Sequence, residues 1–180
     1  MDKKVLLAFA GGQDTSYLTK VLRAVAKREC SAFGYYLPST ASKQACACRL
    51  FVTIGAQGAC KEFLPETADV LVALEELEGR RAVRFLTKEG VLVLCAMHRL
   101  PMSVAVGTTG YPTDVLYRSV NEGRKVWQVK RAECKPAYIA ATMLRALGYE
   151  RGTAIELLSE CDLQIEETDL AQVYDKKFCE

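Results

Sequence analysis

The chain has little of what several special classes of protein require. Its 180 residues include one histidine, His98, and the 24 basic and 22 acidic side chains leave a formal net charge of +2. Such a small excess provides neither a basic footprint for nucleic acid nor an acidic tail. No apolar run approaches the roughly 20 residues of a membrane span, and the run after Lys4 is too short for a signal peptide. We therefore expect a cytoplasmic protein that binds neither nucleic acid nor a membrane.

The chain also lacks the spacings that turn cysteines into cluster or zinc sites. The eight cysteines are Cys30, Cys46, Cys48, Cys60, Cys95, Cys134, Cys161 and Cys179. Without a signal peptide, reduced thiols are expected rather than a disulfide framework. Cys46 and Cys48 have C-x-C spacing, which suggests a metal, but no second pair accompanies them. In a strand, Cys46, Cys48, Leu50, Val52 and Ile54 share one face, and buried thiols behave as small hydrophobes. The core interpretation is therefore favoured, and no metal site is predicted.

The chain has neither G-x-G-x-x-G nor a P-loop, but it does have a glycine pair between a strand and a helix. The apolar run 5–10 predicts the strand, and Leu18, Val21, Leu22 and Val25 give the helix its spacing over about 15–28. Glycines allow a sharp bend, and the first helical amides point outward at the positive end of the dipole. The succession of strand, glycine pair and helix therefore favours an anion- or phosphate-binding turn at residues 10–16. An ordinary turn that binds nothing remains the alternative.

The remaining pattern alternates strands and helices. Further strands are predicted at 32–37, 46–54, 68–74, 91–95 and 126–129, with a break at Gly90 before the fourth of these. Further helices are predicted at 75–86 and 136–147. A capping box at Thr153–Glu156 predicts the start of another helix, and the tail from about 166 is also predicted to be helical. A short helix is predicted to start at Tyr111. No linker or repeat is visible. The expected fold is α/β: a single doubly wound, mainly parallel, Rossmann-like sheet flanked by helices, in one domain over residues 1–180.

No catalytic residue is predicted from spacing. His98 follows a predicted strand, where active sites of open α/β sheets gather, but a lone histidine there is more often a surface or packing residue. Asp14 and Asp114 could each position a ligand or cap a helix, and capping is favoured because both occur at predicted helix starts. No nucleophile–base pair is visible.

Two family resemblances involve the glycine turn. The shorter is to the N-type ATP pyrophosphatase loop, Ser-Gly-Gly-x-Asp-Ser/Thr, which Gly11 to Ser16 resemble with Ala10 in place of the leading serine. It covers about seven residues, and none of the later motifs of that group follows. It implies a stand-alone ATP-binding enzyme, which is kept as an alternative.

The longer resemblance spans nearly the whole chain. The sequence resembles the gamma subunit or domain of 2-oxoacid:ferredoxin oxidoreductases, and especially the beta subunit of indolepyruvate oxidoreductase. The segments that carry it are Gly11-Gly12-Gln13, Leu37-Pro38-Ser39, Ala68 to Glu75, Gly90-Val91-Leu92-Val93, Arg99 to Gly107 and Tyr111-Pro112-Thr113-Asp114. They correspond to the family's Gly-Gly-Gln-Gly turn, Pro-Ser loop, Asp-Val-Leu strand, Gly-Gly strand, Arg-Ile-Pro-Pro-Val-Ser-Val piece and Tyr-Pro-x-Asp piece. The C-terminal helix pair also fits in place and length.

This resemblance implies a subunit rather than a complete enzyme. Complexes of the family oxidise a 2-oxoacid with coenzyme A and pass electrons to ferredoxin, with thiamine diphosphate and iron–sulfur clusters on thiamine-binding and ferredoxin-like partner subunits. This chain is expected to bind none of these cofactors alone, because the four-cysteine ferredoxin spacings are absent. The expected ligand contacts are Gly11, Gly12, Gln13, Thr15, Ser16 and Ser39, with the turn facing a cleft that it shares with the Ser39 loop.

The sequence departs from the family at positions that face the ligand. The fourth turn residue, glycine in the family, is Asp14, which would repel a phosphate unless it caps the helix. The family's Arg-Gly-Gly loop corresponds to residues 40–47, without arginine or glycine, and its helical Asn-x-x-x-x-Gly pair to Ala140 and Arg145. A divergent subunit with an altered substrate and a non-catalytic assembly paralogue both fit these departures.

Overall fold

The computed structural model describes residues 2–38, 47–55, 60–97, 102–111 and 124–175. The strands are β1 (Lys3–Ala10), β2 (Ala32–Tyr36), β3 (Ala47–Gly55), β4 (Ala68–Ala73), β5 (Leu86–Cys95) and β6 (Lys125–Val129). The helices are α1 (Ser16–Arg28), α2 (Glu76–Ala82), α3 (Met102–Ala105), α4 (Pro136–Ala146), α5 (Arg151–Glu160) and α6 (Glu167–Asp175). Single 3₁₀ turns occupy Val83–Phe85 and Arg131–Glu133.

The strands form one six-stranded sheet in the order β2-β3-β1-β4-β5-β6. Strands β1, β4, β5 and β6 are parallel, whereas β3 is antiparallel to both β1 and β2. Only residues 37–46 separate β2 from β3, and parallel crossovers need about a dozen residues or more, usually including a helix. The predicted α/β, mainly parallel sheet is confirmed, with β3 as the exception.

Helices cover both faces of the sheet because the central strands are apolar on both sides. In β1, the side chains of Val5, Leu7 and Phe9 face the core shared with α1, α4, α5 and α6. Leu6 and Ala8 face the opposite core, which contains Ala82 of α2 together with Phe51, Phe63 and Phe85. Such continuous apolar runs are typical of strands buried on both faces. No helix in the described ranges is long and apolar enough to cross a membrane.

The prediction that Gly90 ends an element before a strand at 91–95 is wrong. Gly90 lies inside β5, which begins at Leu86. The pairing shifts there: Ala68 is opposite Leu86, but Val70 is opposite Val91. A Cβ at Gly90 would lie 2.9 Å from the Asp69 carbonyl oxygen, so glycine permits the close approach of β4 at this irregularity.

Two helix boundaries also differ from prediction. The helix predicted over 75–86 ends at Ala82, and the chain continues through a 3₁₀ turn before Leu86 enters β5. The predicted capping box at Thr153 is wrong because α5 starts earlier: the Ala154 amide donates to the Glu150 carbonyl at 3.0 Å, which places Thr153 inside the first turn. The predicted helix 136–147 is confirmed as Pro136–Ala146, and the helix predicted from about 166 is confirmed with its start at Glu167.

Candidate functional site

The glycine turn lies at the carboxyl edge of the parallel strands. Ala10 ends β1 opposite Ala47, and Ala8 is paired with Ala73 near the end of β4. The Gln13 amide donates to the Ala10 carbonyl at 3.1 Å and closes the turn. Gly12 has φ +83°, whereas Gly11 has no positive φ. This left-handed conformation at the third turn position is the one in which glycine is strongly preferred.

The side chain of Gln13 fixes this turn to the neighbouring strand. Its Oε1 accepts the Ala10 amide at 2.7 Å, and its Nε2 donates to the Leu74 carbonyl at 3.3 Å. Gln13 was predicted as a ligand contact, but both ends of its amide are engaged in holding the turn. The second Nε2 hydrogen and the second lone pair of Oε1 remain for a ligand from this side chain.

Asp14 covers the start of α1. Its Oδ1 accepts the Ser16 amide at 2.8 Å, and hydrogen bonds from the Ser16 hydroxyl and amide hold the pKa of this carboxyl below its usual range. The prediction that Asp14 is the N-cap of this helix is wrong: Thr15 is the N-cap and makes no side-chain capping bond, and Asp14 lies one residue before it, where its carboxylate reaches only the first helical amide. A negative charge therefore already occupies the positive end of the helix dipole.

An open groove of about 500 Å³ runs beside the turn. It is lined by Gln13, Asp14, Thr15, Ser16, Thr19, Lys20, Arg23, Tyr35, Leu37 and Leu50. The α1 wall is polar, and the β2 and β3 wall is aromatic and aliphatic. Such a surface suits a ligand or peptide with a polar side and an apolar side.

The two cations of the groove are held differently. Lys20 donates to the Asp162 carboxylate at 2.7 Å and to the Cys161 carbonyl at 3.0 Å, so its charge is already paired. The Arg23 guanidinium instead lies over the ring of Phe33 at 4.8 Å and over that of Tyr35 at 5.5 Å. These cation–π contacts keep its long side chain extended along the groove.

A buried carboxylate lies at the end of the next strand. Glu75 follows β4 and is 1 % exposed. Its carboxylate accepts the Glu78 amide at 2.9 Å, which caps α2, and also accepts the Tyr111 hydroxyl. Burial, followed by this hydrogen bond, raises the pKa of Tyr111. The sequence predicted a helix from Glu75 but not the burial of its carboxylate; an acidic residue directly between an apolar strand and a helix was the available signal.

Glu78 adds a second buried carboxyl. Its Oε1 accepts from Arg81 at 2.5 Å, while its Oε2 and the Nε of Arg49 are buried without a hydrogen-bond partner in the described structure. Burial raises the pKa of Glu78 despite the attraction of Arg81. This acidic pair lies on the α2 face of the sheet, whereas the groove lies beside α1.

Of the six predicted ligand contacts, Gln13, Thr15 and Ser16 line the groove, whereas Gly11 and Gly12 lie in the turn and are not among the lining residues. The sixth, Ser39, lies outside the described residues, as do Cys46, His98 and Asp114. The predicted burial of Cys48, Leu50, Val52 and Ile54 on one face of β3 is confirmed. Within the described ranges, no three or more His, Cys, Asp or Glu side chains are grouped to hold a metal.

The two helical positions singled out in the sequence, Ala140 and Arg145, serve packing. Ala140 is fully buried in α4. Arg145 donates to the Val173 carbonyl of α6, and its guanidinium lies 5.1 Å from the centre of the Trp127 ring. Both positions therefore hold α4 against its neighbours.

Comparison with known proteins defines a fold class. No family model matches the sequence, and no curated protein matches it. Among solved structures, the chain has the α/β fold of gamma subunits of 2-oxoacid:ferredoxin oxidoreductases. A pyruvate oxidoreductase subunit from Thermotoga maritima matches 96% of this chain and 90% of its own, with a TM-score of 0.59 and 12% identity.

Two further structures share this fold. The gamma subunit of a keto/oxoacid ferredoxin oxidoreductase from Geobacter sulfurreducens matches 97% of this chain and 91% of its own, with a TM-score of 0.58 and 13% identity. A 2-oxoglutarate:ferredoxin oxidoreductase from Magnetococcus marinus, with 2-oxoglutarate, coenzyme A and succinyl-CoA bound, matches 97% of this chain over 29% of its own, with a TM-score of 0.50 and 16% identity.

Proposed function

We propose that this chain is a gamma-type subunit of a 2-oxoacid:ferredoxin oxidoreductase complex, which oxidatively decarboxylates a 2-oxoacid with coenzyme A. The observation that carries the proposal is the match of nearly the whole chain, 96% and 97%, to 90% and 91% of two solved subunits of such enzymes. Two segments of the sequence favour the indolepyruvate branch because they resemble it: the strand that leads into Glu75, and residues Arg99 to Gly107.

The catalytic cofactors belong to partner subunits in this proposal. Thiamine diphosphate and iron–sulfur clusters are carried by thiamine-binding and ferredoxin-like partners, since the cysteine spacing here matches no ferredoxin pattern. The chain by itself supplies surface and shape to the complex. The isolated chain is accordingly expected to reduce no viologen dye with any 2-oxoacid.

The glycine turn is proposed as the ligand-facing part of this subunit, through Gly11, Gly12, Gln13, Thr15 and Ser16 together with Ser39. A ligand phosphate does not fit the helix start, because the Asp14 carboxylate already accepts the first amide there. We therefore derive no reaction step through the turn. The hydroxyls of Thr15 and Ser16, opposite Leu37 and Leu50, fit a neutral part of a ligand such as coenzyme A, or a partner's chain.

An exposed apolar edge supports a place within a complex. Tyr35, Tyr36 and Leu37 at the end of β2 are 54%, 40% and 45% exposed. Tyr35 and Leu37 line the groove, the Tyr36 ring lies near Phe51 on the other face, and β2 is an outer strand of the sheet. Contiguous exposed apolar side chains commonly mark interaction sites, so we assign this edge to contact with the partner subunits.

Purification of the tagged chain from its native cells tests the proposal. The wild-type chain should co-purify with a subunit that carries thiamine diphosphate, identified by mass spectrometry and by cofactor content. Leu37→Asp should weaken this association severalfold. Ile155→Asp is the matched control, since Ile155 is similarly exposed, at 42%, on α5 away from the groove.

Each outcome separates the proposal from its alternatives. Co-purification with viologen reduction by the assembled complex supports the subunit assignment. Co-purification without 2-oxoacid turnover indicates the assembly paralogue instead. Absence of a thiamine-containing partner, together with saturable ATP binding by the isolated chain in calorimetry, would establish the pyrophosphatase-like alternative and overturn the proposal.

A further inference from the structure

Two cysteines meet at the carboxyl edge of the sheet. Cys95 is the last residue of β5, is fully buried and is paired with Val129 of β6. Cys134 follows Val129 by five residues, and its Sγ lies 3.8 Å from the Val129 carbonyl oxygen and 3.3 Å from that of Lys130. Both side chains pack in the core on the α1 face of the sheet, and Cys134 contacts the carbonyl of the residue that is paired with Cys95, so the two thiols lie side by side. Their contact is therefore fixed by the register of β5 against β6.

The two sulfurs differ in access and in the element that holds them. Cys95 is held in the ladder of β5, whereas Cys134 is half-buried in the short coil between the Arg131–Glu133 turn and α4. A disulfide needs the sulfurs to approach to about 2.0 Å. Movement of Cys134 alone can supply this approach, because it belongs to neither a strand nor a helix.

The two thiols also differ in acidity, in the direction that such a reaction needs. The hydrogen bond from the Cys95 thiol lowers the pKa of Cys134, which favours its thiolate. That same hydrogen bond, followed by burial, raises the pKa of Cys95. The thiolate is the reactive form of cysteine, so the accessible member of the pair is the one that reacts first.

We propose that Cys95 and Cys134 are a redox modification site, which a hydroperoxide converts reversibly into an intramolecular disulfide. The Cys134 thiolate attacks the peroxide, the O–O bond breaks, and the sulfur becomes a sulfenic acid as the peroxide is reduced to water or an alcohol. The Cys95 sulfur then attacks that of Cys134, the S–S bond forms, and water leaves with the Cys95 proton. Two thiols are oxidised for each peroxide reduced.

The cysteine pair lies close to the first turn of α1. Tyr17, in the first turn of α1, is mostly buried, and its pKa is raised by burial and then by the neighbouring Cys95 and Asp14. A disulfide there ties the end of β5 to the segment before α4, directly beneath the helix that lines the groove. The inference stands on the cysteine geometry and is independent of the proposed function.

Peptide mapping of the full-length chain tests the proposal. The reduced protein is treated with an equimolar amount of hydrogen peroxide, the remaining thiols are alkylated in denaturant, and the digest is analysed by mass spectrometry. We expect a Cys95–Cys134 linked peptide with two hydrogens fewer than its parts, and its loss after dithiothreitol. Protein oxidised in urea should instead give mixed pairings among the eight cysteines.

Variants supply the matched control. Cys134→Ser should abolish the linked peptide, and Cys30→Ser, at an exposed cysteine outside the pair, should leave its yield unchanged. Oxidation of native wild-type protein that leaves Cys95 alkylatable while Cys134 becomes sulfinic acid overturns the proposal. So does a native-state yield of the Cys95–Cys134 peptide no higher than that in urea, a comparison that requires no variant to fold.

Discussion

The side-chain amide of Gln13 donates to the main-chain carbonyl of Leu74 at 3.3 Å, across the gap between the ends of two neighbouring strands. Leu74 in turn donates its own amide to the Ala8 carbonyl at 2.9 Å. One side chain from the turn after β1 thus satisfies a carbonyl just beyond β4. The entry into α1 is therefore fixed relative to the sheet before any ligand or partner is present.

Replacement of Gly12 by valine should destabilise the protein by about 1–3 kcal/mol, because a β-branched residue is strained at φ +83°. Urea unfolding followed by circular dichroism measures the loss. Gly110→Val is the matched control, since a Cβ there meets nothing within 4 Å and its φ is not positive. Equal stability of the two variants would contradict the assigned turn geometry.

Replacement of Asp14 by alanine should cost about 0.3–1 kcal/mol at neutral pH, because it removes a negative charge and a hydrogen-bond acceptor from the positive end of α1. The folded-state pKa of Asp14 is lowered by its bonds with Ser16. Its contribution is therefore complete well above its ordinary value of 3.8 and is lost as the pH falls through the folded pKa.

Urea titrations of the wild type and of Asp14→Ala between neutral and strongly acidic pH check this expectation. The two stability curves should converge on acidification. Asp14→Asn, which retains an acceptor oxygen without the charge, should lie between them at neutral pH. A wild-type advantage that persists unchanged at low pH would rule out the carboxylate as its source.

Substitution of Gly90 by alanine should destabilise the fold by roughly 1–3 kcal/mol through overpacking. The new Cβ would lie 2.6 Å from Leu86 Cδ1 and 2.9 Å from the Asp69 carbonyl oxygen, and the second of these atoms belongs to the backbone. Gly152→Ala, in an open position of α5, should instead be neutral or stabilising by up to about 1 kcal/mol. The melting temperatures of both variants are compared with that of the wild type. A loss in Gly90→Ala alone indicates the close approach of the strands, whereas equal losses in both indicate a general effect of replacing glycine.

Glu78→Gln should flatten the dependence of stability on pH. Burial raises the folded-state pKa of Glu78 above its ordinary value of 4.5, so the native state holds this proton to higher pH than the unfolded chain does. The contribution to stability is complete below the ordinary value and is lost as the pH rises through the raised folded pKa.

The measurement for Glu78 is the unfolding free energy from below pH 4.5 upward, compared between wild type and Glu78→Gln. The wild type should lose more stability with rising pH than the variant. Glu62→Gln, at an exposed position, controls for loss of one negative charge. Parallel curves for Glu78→Gln and wild type would show that burial does not govern this carboxyl.

Local sequence patterns predicted the elements whose cause is local. The apolar run in β1, the glycine pair and the spacing of Leu18, Val21 and Leu22 specified a strand, a turn and a helix without reference to the rest of the chain. Alternation in β3 likewise predicted the buried face that contains Cys48. The helix predicted from Glu75 failed at its far end, where Leu86 pairs with Ala68 across strands.

The sequence by itself determined that this is an α/β protein, because hydrophobic periodicity, glycine placement and capping residues act over a few neighbouring positions. Tertiary structure decided what depends on residues distant in the chain. The antiparallel direction of β3, the place of Gly90 at the shifted pairing with Asp69, and the burial of Glu75 beneath Tyr111 all follow from strand pairing and packing. The contact of Cys95 with Cys134 is of the same kind, since only the register of β5 on β6 brings these thiols together.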